Sequence, residues 1–188
     1  MDELGIKKAH LVGSSMGGAL AMQCVVEIPE RFDKCMLMGA IGAPFDKPST
    51  MIRMISYYDD PRAGRYRELI ESFVYDPSIF GDLQAVIDDR YAKAMNPKTR
   101  DVQEIMFQAM IDDMEKLIIP APVLNRMTHE WVIVHGRQDN VIPLETSLYF
   151  LEHLQRAELR VLDRCGHWAQ TQRWDAMYPI ILKHFLHS

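Results

Sequence analysis

Leu11-Val12-Gly13-Ser14-Ser15-Met16-Gly17-Gly18 is the stretch on which the fold turns. It reads G-x-S-x-G, entered from the apolar run Ala9–Val12 and continued by Ala19-Leu20-Ala21-Met22. A strand that turns sharply into a helix needs small residues around the turn, because the backbones on either side crowd one another. The residue at the apex is lifted above the sheet edge, and here it is Ser15. The pattern predicts a strand over Ala9–Val12, a helix to about Glu27, and a presented hydroxyl between them.

Working outward, Pro29 closes the first helix region, and Cys35-Met36-Leu37-Met38-Gly39 reads as a second, buried strand. Trp131–His135 reads as a third strand and Leu159–Leu162 as a fourth. Between them Pro143 opens a helix through about Leu154, at a position where its missing N–H costs nothing, and Tyr178–Phe185 forms a closing helix. Strands alternating with helices predict an α/β fold with about four parallel strands and flanking helices. The middle of the chain differs, with no convincing strand but helical segments over Arg65–Tyr75, Leu83–Met95 and Arg100–Leu117. In the last of these, an amphipathic segment, Val102, Ile105, Met106, Ala109 and Met110 fall on one helical face. The expected organisation is a core in two parts, residues 1–45 and 127–188, with a helical lid insertion over 46–126 above the carboxyl edge of the sheet.

A chain of 188 residues can bury one core with a small appended domain. A net charge of -5, with no face rich in Lys and Arg, argues against a nucleic-acid partner and for a small-molecule substrate. Lys7-Lys8 followed by mostly apolar residues imitates a secretory leader, but Asp2, Glu3, His10 and the interrupting serines and glycines spoil it. No other stretch is long enough to span a membrane, so the expectation is a cytoplasmic protein without a membrane partner. Cys24, Cys35 and Cys165 are an odd number without metal-like spacing and read as reduced thiols. The 13 methionines suit an adaptable apolar pocket and serve equally well as core filling.

A serine nucleophile needs a base to take its proton and an acid to hold that base. On a strand–turn–helix scaffold these follow in the order Ser, Asp or Glu, His, each on a loop after a strand. The third strand runs into His135-Gly136-Arg137-Gln138-Asp139, and the fourth into Asp163-Arg164-Cys165-Gly166-His167-Trp168. Ser15, Asp139 and His167 are therefore the candidate nucleophile, acid and base, with Asp46 and Asp163 as rival acids. Cys165 lies two residues from His167, although side chains at that spacing usually point apart. His135-Gly136 reads as a strand end. No histidine pair has metal-binding spacing, so no metal and no cofactor are expected. The backbone N–H of Met16, following the nucleophile, is one expected oxyanion donor; the second should come from a loop after an earlier strand, which does not appear in this sequence.

With these residues in hand, the chain resembles the meta-cleavage product hydrolases, α/β-hydrolases that split C–C bonds in ring-opened aromatic compounds. The resemblance rests on Met1-Asp2-Glu3-Leu4-Gly5-Ile6, the elbow, His135–Ser147 and Arg164-Cys165-Gly166-His167-Trp168-Ala169-Gln170. It implies Ser15, Asp139 and His167 as the triad, and a 2-hydroxy-6-oxo-dienoate as substrate. It also implies Arg90 and Trp168 as groups that contact the keto acid. Ser14 stands where the family usually has Asn, which alters a polar group beside the substrate. Family members carry further strands before the position aligned with Met1, so the chain reads as the carboxyl-terminal two-thirds of an α/β-hydrolase fold. Two other readings stay open at this point. One is a carboxylesterase on the same fold, and the other is an impaired hydrolase that self-associates as a homo-oligomer through the open edge of its first strand.

Overall fold

The computed structural model describes residues Met1 to Leu186. Four strands, β1 (Ala9–Ser14), β2 (Phe32–Met38), β3 (Glu130–Gly136) and β4 (Ala157–Leu162), form one sheet in the order β1-β2-β3-β4. All three pairings are parallel. The central strands β2 and β3 are buried along most of their length, whereas β1 and β4, at the edges, alternate with partly exposed positions. A parallel strand covered on both faces reads as a continuous apolar run, and Trp131-Val132-Ile133-Val134 is such a run.

The period of two along each strand divides the core. Cys35, Leu37, Trp131 and Ile133 point to one face, against Met22 and Val25 of α1 (Met16–Glu27). Phe150 of α7 (Leu144–His153) joins the same layer. Met36, Val132 and Val134 point to the other face, against Met177 of α9 (Trp174–Leu186). The closing helix thus begins four residues before Tyr178, and Pro179 lies inside it.

Between β2 and β3 the chain is helical, with α2 (Ser49–Ile55), α3 (Ala63–Ser72), α4 (Leu83–Ala94), α5 (Pro97–Asp113) and α6 (Ala121–Leu124). Asp82 and Asn96 cap α4 and α5 by accepting from Ala85 N–H and Lys98 N–H, which sets where each starts. The apolar face read on α5 packs inward only in part: Met110 is buried, but Val102 is 66% exposed and Ile105 73% exposed, and Phe107, outside that face, is partly buried. Met110, Met114 and Phe107 pack with Met51 and Ile55 of α2 and with Ile41, Val141 and Ile142 beside the sheet. The large Phe107 side chain and the Tyr58–Phe107 ring contact turn the helix away from the smaller Val102/Ile105 stripe.

The register aligns the carboxyl ends of the strands. Ser14 pairs with Met38, Met38 with Val134, and Val134 with Arg160, in one row across the sheet. Residues just beyond that row, on all four strands, share one edge.

Ile133→Ala, at a fully buried central position, is expected to cost about 2–5 kcal/mol in urea unfolding. Val102→Ala, on the outward stripe of α5, should stay within about 0.5 kcal/mol of the parent. An equal loss at both positions would contradict this packing.

Candidate active site

Ser15 stands between β1 and α1 with φ 53° and ψ −124°, a backbone conformation that a non-glycine residue rarely adopts. The neighbouring strand holds it there. Ser15 N–H donates to the Met38 carbonyl at 3.0 Å, and the Ser15 carbonyl accepts from Gly18 N–H at 2.9 Å and Ile41 N–H at 3.2 Å. A Cβ on Gly13 would lie 2.5 Å from the Gly17 carbonyl oxygen, so the motif's first glycine is required by the closeness of helix and strand. Ser14 is the last residue of β1, and Met16 opens α1, where its N–H is among the donors that a helix start leaves without an internal partner.

Asp139 lies in the loop after β3 and His167 in the loop after β4, and His167 Nδ1 lies 2.8 Å from Asp139 Oδ2. Both side chains are almost wholly buried, at 5% and 1% exposure. The other carboxylate oxygen, Oδ1, accepts from Val141 N–H at 2.8 Å and Ile142 N–H at 2.9 Å, a local turn that aspartate forms readily. Because an ionised carboxylate only accepts, Nδ1 carries the proton in this pair and Nε2 is left as the basic nitrogen. His167 therefore pairs with Asp139 and with neither rival: Asp46 is exposed, and the exposed Asp163 carboxylate accepts from Gln138 and Arg137. Among the described residues no hydrogen bond joins the Ser15 hydroxyl to His167.

The two loops are sewn to each other. Arg137 N–H donates to the Leu162 carbonyl, Gln138 N–H to the Cys165 carbonyl, and Cys165 N–H to Gln138 Oε1. Burial pushes the Cys165 thiol up to about 11, so at neutral pH it is an un-ionised core group whose Sγ donates to the Gly166 carbonyl.

Two residues beneath this pair have roles that the sequence reading did not assign, Gly39 and His135, the latter read only as a strand end. Gly39, one residue past β2, has φ +46°, and a Cβ there would lie 3.0 Å from Asp139 Oδ2 and 3.2 Å from His167 Nδ1. Its place after a buried strand was the available signal. His135, at the end of β3 and fully buried, has Nε2 3.0 Å from the Ile142 carbonyl and Nδ1 2.7 Å from Ser147 Oγ. A carbonyl only accepts, so Nε2 carries the proton and Nδ1 accepts from the Ser147 hydroxyl. Burial lowers the His135 pKa, against the raising effect of Asp139, whose Oδ2 is 3.7 Å away.

Arg90, exposed on α4, stacks over the Trp168 ring at 4.5 Å from its centroid. Trp168 also meets Phe73 at 5.1 Å and Phe80 at 6.3 Å between ring centroids. Tyr57, Tyr58, Tyr66, Phe73, Arg90 and Trp168 line a cavity of about 130 Å³ in the helical segment. Among the described residues no cluster of His, Cys, Asp and Glu could hold a metal ion, and no helix is long and apolar enough to cross a membrane.

Comparison with known proteins identifies the family of this chain. A family model described as "alpha/beta hydrolase fold" matches residues 1–173. The chain is 33% identical over 174 residues to the 2-hydroxy-6-oxo-2,4-heptadienoate hydrolase of Pseudomonas putida, covering 92% of this chain and 62% of that protein. The solved 2-hydroxy-6-oxo-6-phenylhexa-2,4-dienoate hydrolase (BphD) of Rhodococcus sp. strain RHA1 is 52% identical, with a TM-score of 0.95 over 98% of this chain and 66% of that one. The meta-cleavage product hydrolase CumD of Pseudomonas fluorescens IP01 is 34% identical, with a TM-score of 0.89 over 98% of this chain and 67% of that one. The chain belongs to the α/β-hydrolase fold family, and within it to the meta-cleavage product hydrolases. It spans about three-fifths of the length of the curated relatives it matches, 62% for the P. putida enzyme.

Gly39→Ala is expected to cost about 1–2 kcal/mol through its left-handed backbone alone. It should also lengthen the Asp139–His167 contact in a crystal structure, and an unchanged contact would count against the role given to Gly39. A second prediction concerns pH. His135 and His184 both have lowered pKa values, chiefly through burial. The unfolded chain therefore takes up these protons first as pH falls, so the stability they confer is full above about pH 6.5 and declines below it. The urea midpoint should rise from pH 5 to pH 7, and His135→Gln should flatten that rise while leaving the part due to His184.

Proposed function

We propose that the protein is a serine-dependent C–C bond hydrolase acting on a 2-hydroxy-6-oxo-dienoate, with Ser15 as nucleophile, His167 as base and Asp139 as the acid that orients it. The observation that carries this reading is the buried 2.8 Å His167–Asp139 contact, on the same sheet edge as the strained Ser15. The printed names of the relatives, dienoate hydrolases among them, support the substrate class.

With Nδ1 held by Asp139, Nε2 of His167 is free to take a proton from Ser15 or from a water. The oxygen so activated attacks the carbonyl carbon of the ketonised substrate, and Met16 N–H stabilises the charge that develops on the carbonyl oxygen. The C–C bond then breaks, and its electron pair passes into the keto-acid fragment, which is protonated by the imidazolium. Where Ser15 is the attacking group, a water deprotonated by Nε2 then attacks the acyl carbon, releasing the carboxylic acid as the imidazolium returns the proton to Ser15. In this reading Arg90, whose planar guanidinium lies over Trp168, pairs with the substrate carboxylate, and Ser14 lies one residue from the nucleophile. In this reading residues 46–126 act as the lid over the core parts 1–45 and 127–188, and no cofactor takes part. Three unpaired cysteines suit a cytoplasmic enzyme.

Adding the protein to a 2-hydroxy-6-oxo-dienoate should abolish the substrate's visible absorbance. Ser15→Ala and His167→Asn should each lower kcat by about 10³-fold or more. Arg90→Ala should lower kcat/KM by at least about tenfold, as expected for a lost charge-assisted pair. Rapid hydrolysis of short aryl esters, with the dienoate untouched and Arg90→Ala silent, would overturn the substrate assignment.

A further inference from the structure

The helical segment and the histidine loop are joined at one side chain that the proposed chemistry does not use. Gln172 ends α8 (Ala169–Gln172), the short helix that follows the His167 loop. Its amide oxygen accepts from Tyr75 N–H at 2.6 Å and from Gly166 N–H at 3.1 Å. Its amide nitrogen donates to the Phe73 carbonyl at 3.5 Å. Two N–H donors on one side and a carbonyl on the other fix which way the amide faces.

The Phe73 carbonyl lies at the carboxyl end of α3, where helix carbonyls have no partner within the helix. It also accepts from His167 N–H at 2.8 Å and Trp168 N–H at 3.3 Å. The ring of the same Phe73 lies 6.0 Å from His167 and 5.1 Å from Trp168, centroid to centroid. The backbone of His167 is thus held by the helical segment, as its ring is held by Asp139.

We propose that Gln172 is a positioning residue for His167. By clasping Phe73–Tyr75 to Gly166 it keeps the His167 N–H on the Phe73 carbonyl, so the end of α3 and the histidine loop move as one body. The inference rests on His167 being the base, as proposed above.

The test uses the whole chain with Gln172→Leu, which removes all three interactions, and Gln172→Glu, which keeps an acceptor for both N–H donors but sets a carboxylate oxygen against the Phe73 carbonyl in place of the donating amide. Gln172→Asn, too short to span both donors but polar, serves as a second disrupting variant should the leucine form fail to fold. Three readouts are compared: amide hydrogen exchange at Tyr75 and Gly166, labelling of Ser15 by a fluorophosphonate, and steady-state turnover of the dienoate. Labelling depends on a working base and not on the dienoate, so it decides the inference even where the substrate assignment fails.

The disrupting variant should exchange those two amides about tenfold faster or more, as the loss of about one net hydrogen bond implies. It should label Ser15 about tenfold more slowly, and lower kcat by a similar factor with KM within about twofold. Gln172→Glu, which keeps the two accepting contacts, should fall between the parent and Gln172→Leu in amide exchange. Faster exchange with parental labelling would make Gln172 a structural clasp only and overturn the proposal, as would unchanged exchange in the disrupting variant.

Discussion

The geometry at the sheet's carboxyl edge depends on how Asp139 divides its two oxygens. Oδ1 closes its own loop through Val141 and Ile142 N–H, leaving Oδ2 to receive His167 Nδ1–H. Neither job could be done well without the other. A carboxylate free to rotate would not fix a ring, and a loop without its internal acceptor would leave two N–H groups unsatisfied close to buried Val141 and Ile142. His135 sits under the loop as a neutral ring, bonded on one side to the Ile142 carbonyl and on the other to Ser147, so it supports Asp139 without competing for its charge.

That arrangement is transmitted to Ser15 by the sheet. The row Ser14–Met38–Val134–Arg160 sets the four strand ends level, and Gly39 leaves room where a methyl group would press on the Asp139–His167 pair. The strained backbone of Ser15 is held by bonds to Met38, Gly18 and Ile41, so the surrounding structure rather than the serine's own preference dictates the elbow. From the far side the end of α3 meets the backbone of His167 and Trp168, which gives the histidine two independent supports.

Much of this was legible in the sequence because it is local. The G-x-S-x-G spacing, the buried runs at Cys35–Met38 and Trp131–His135, and the loops bearing Asp139 and His167 each carry their meaning in a few neighbouring residues. The inward face of α5 was legible only at Met110, because Val102 and Ile105 are as apolar as the partly buried Phe107 and only the partners on α2 choose between them. Gly39 and Gln172 were missed for a related reason. Their importance lies in what approaches them from far along the chain, Asp139 and His167 at Gly39 and Tyr75 at Gln172, and no short pattern encodes that approach. His135 offered a faint sign, four residues before Asp139, but a histidine at a strand end has no single meaning until the Ile142 carbonyl is seen beside it.

The most direct test of the account is proton NMR of the imidazole N–H groups at low temperature. A His167 Nδ1–H donated to the buried Asp139 carboxylate should give a far-downfield resonance that is protected from exchange, persists in Ser15→Ala and vanishes in Asp139→Asn. A spectrum without that resonance, or one in which it survives Asp139→Asn, would contradict the claim that Asp139 holds His167 for chemistry at Ser15.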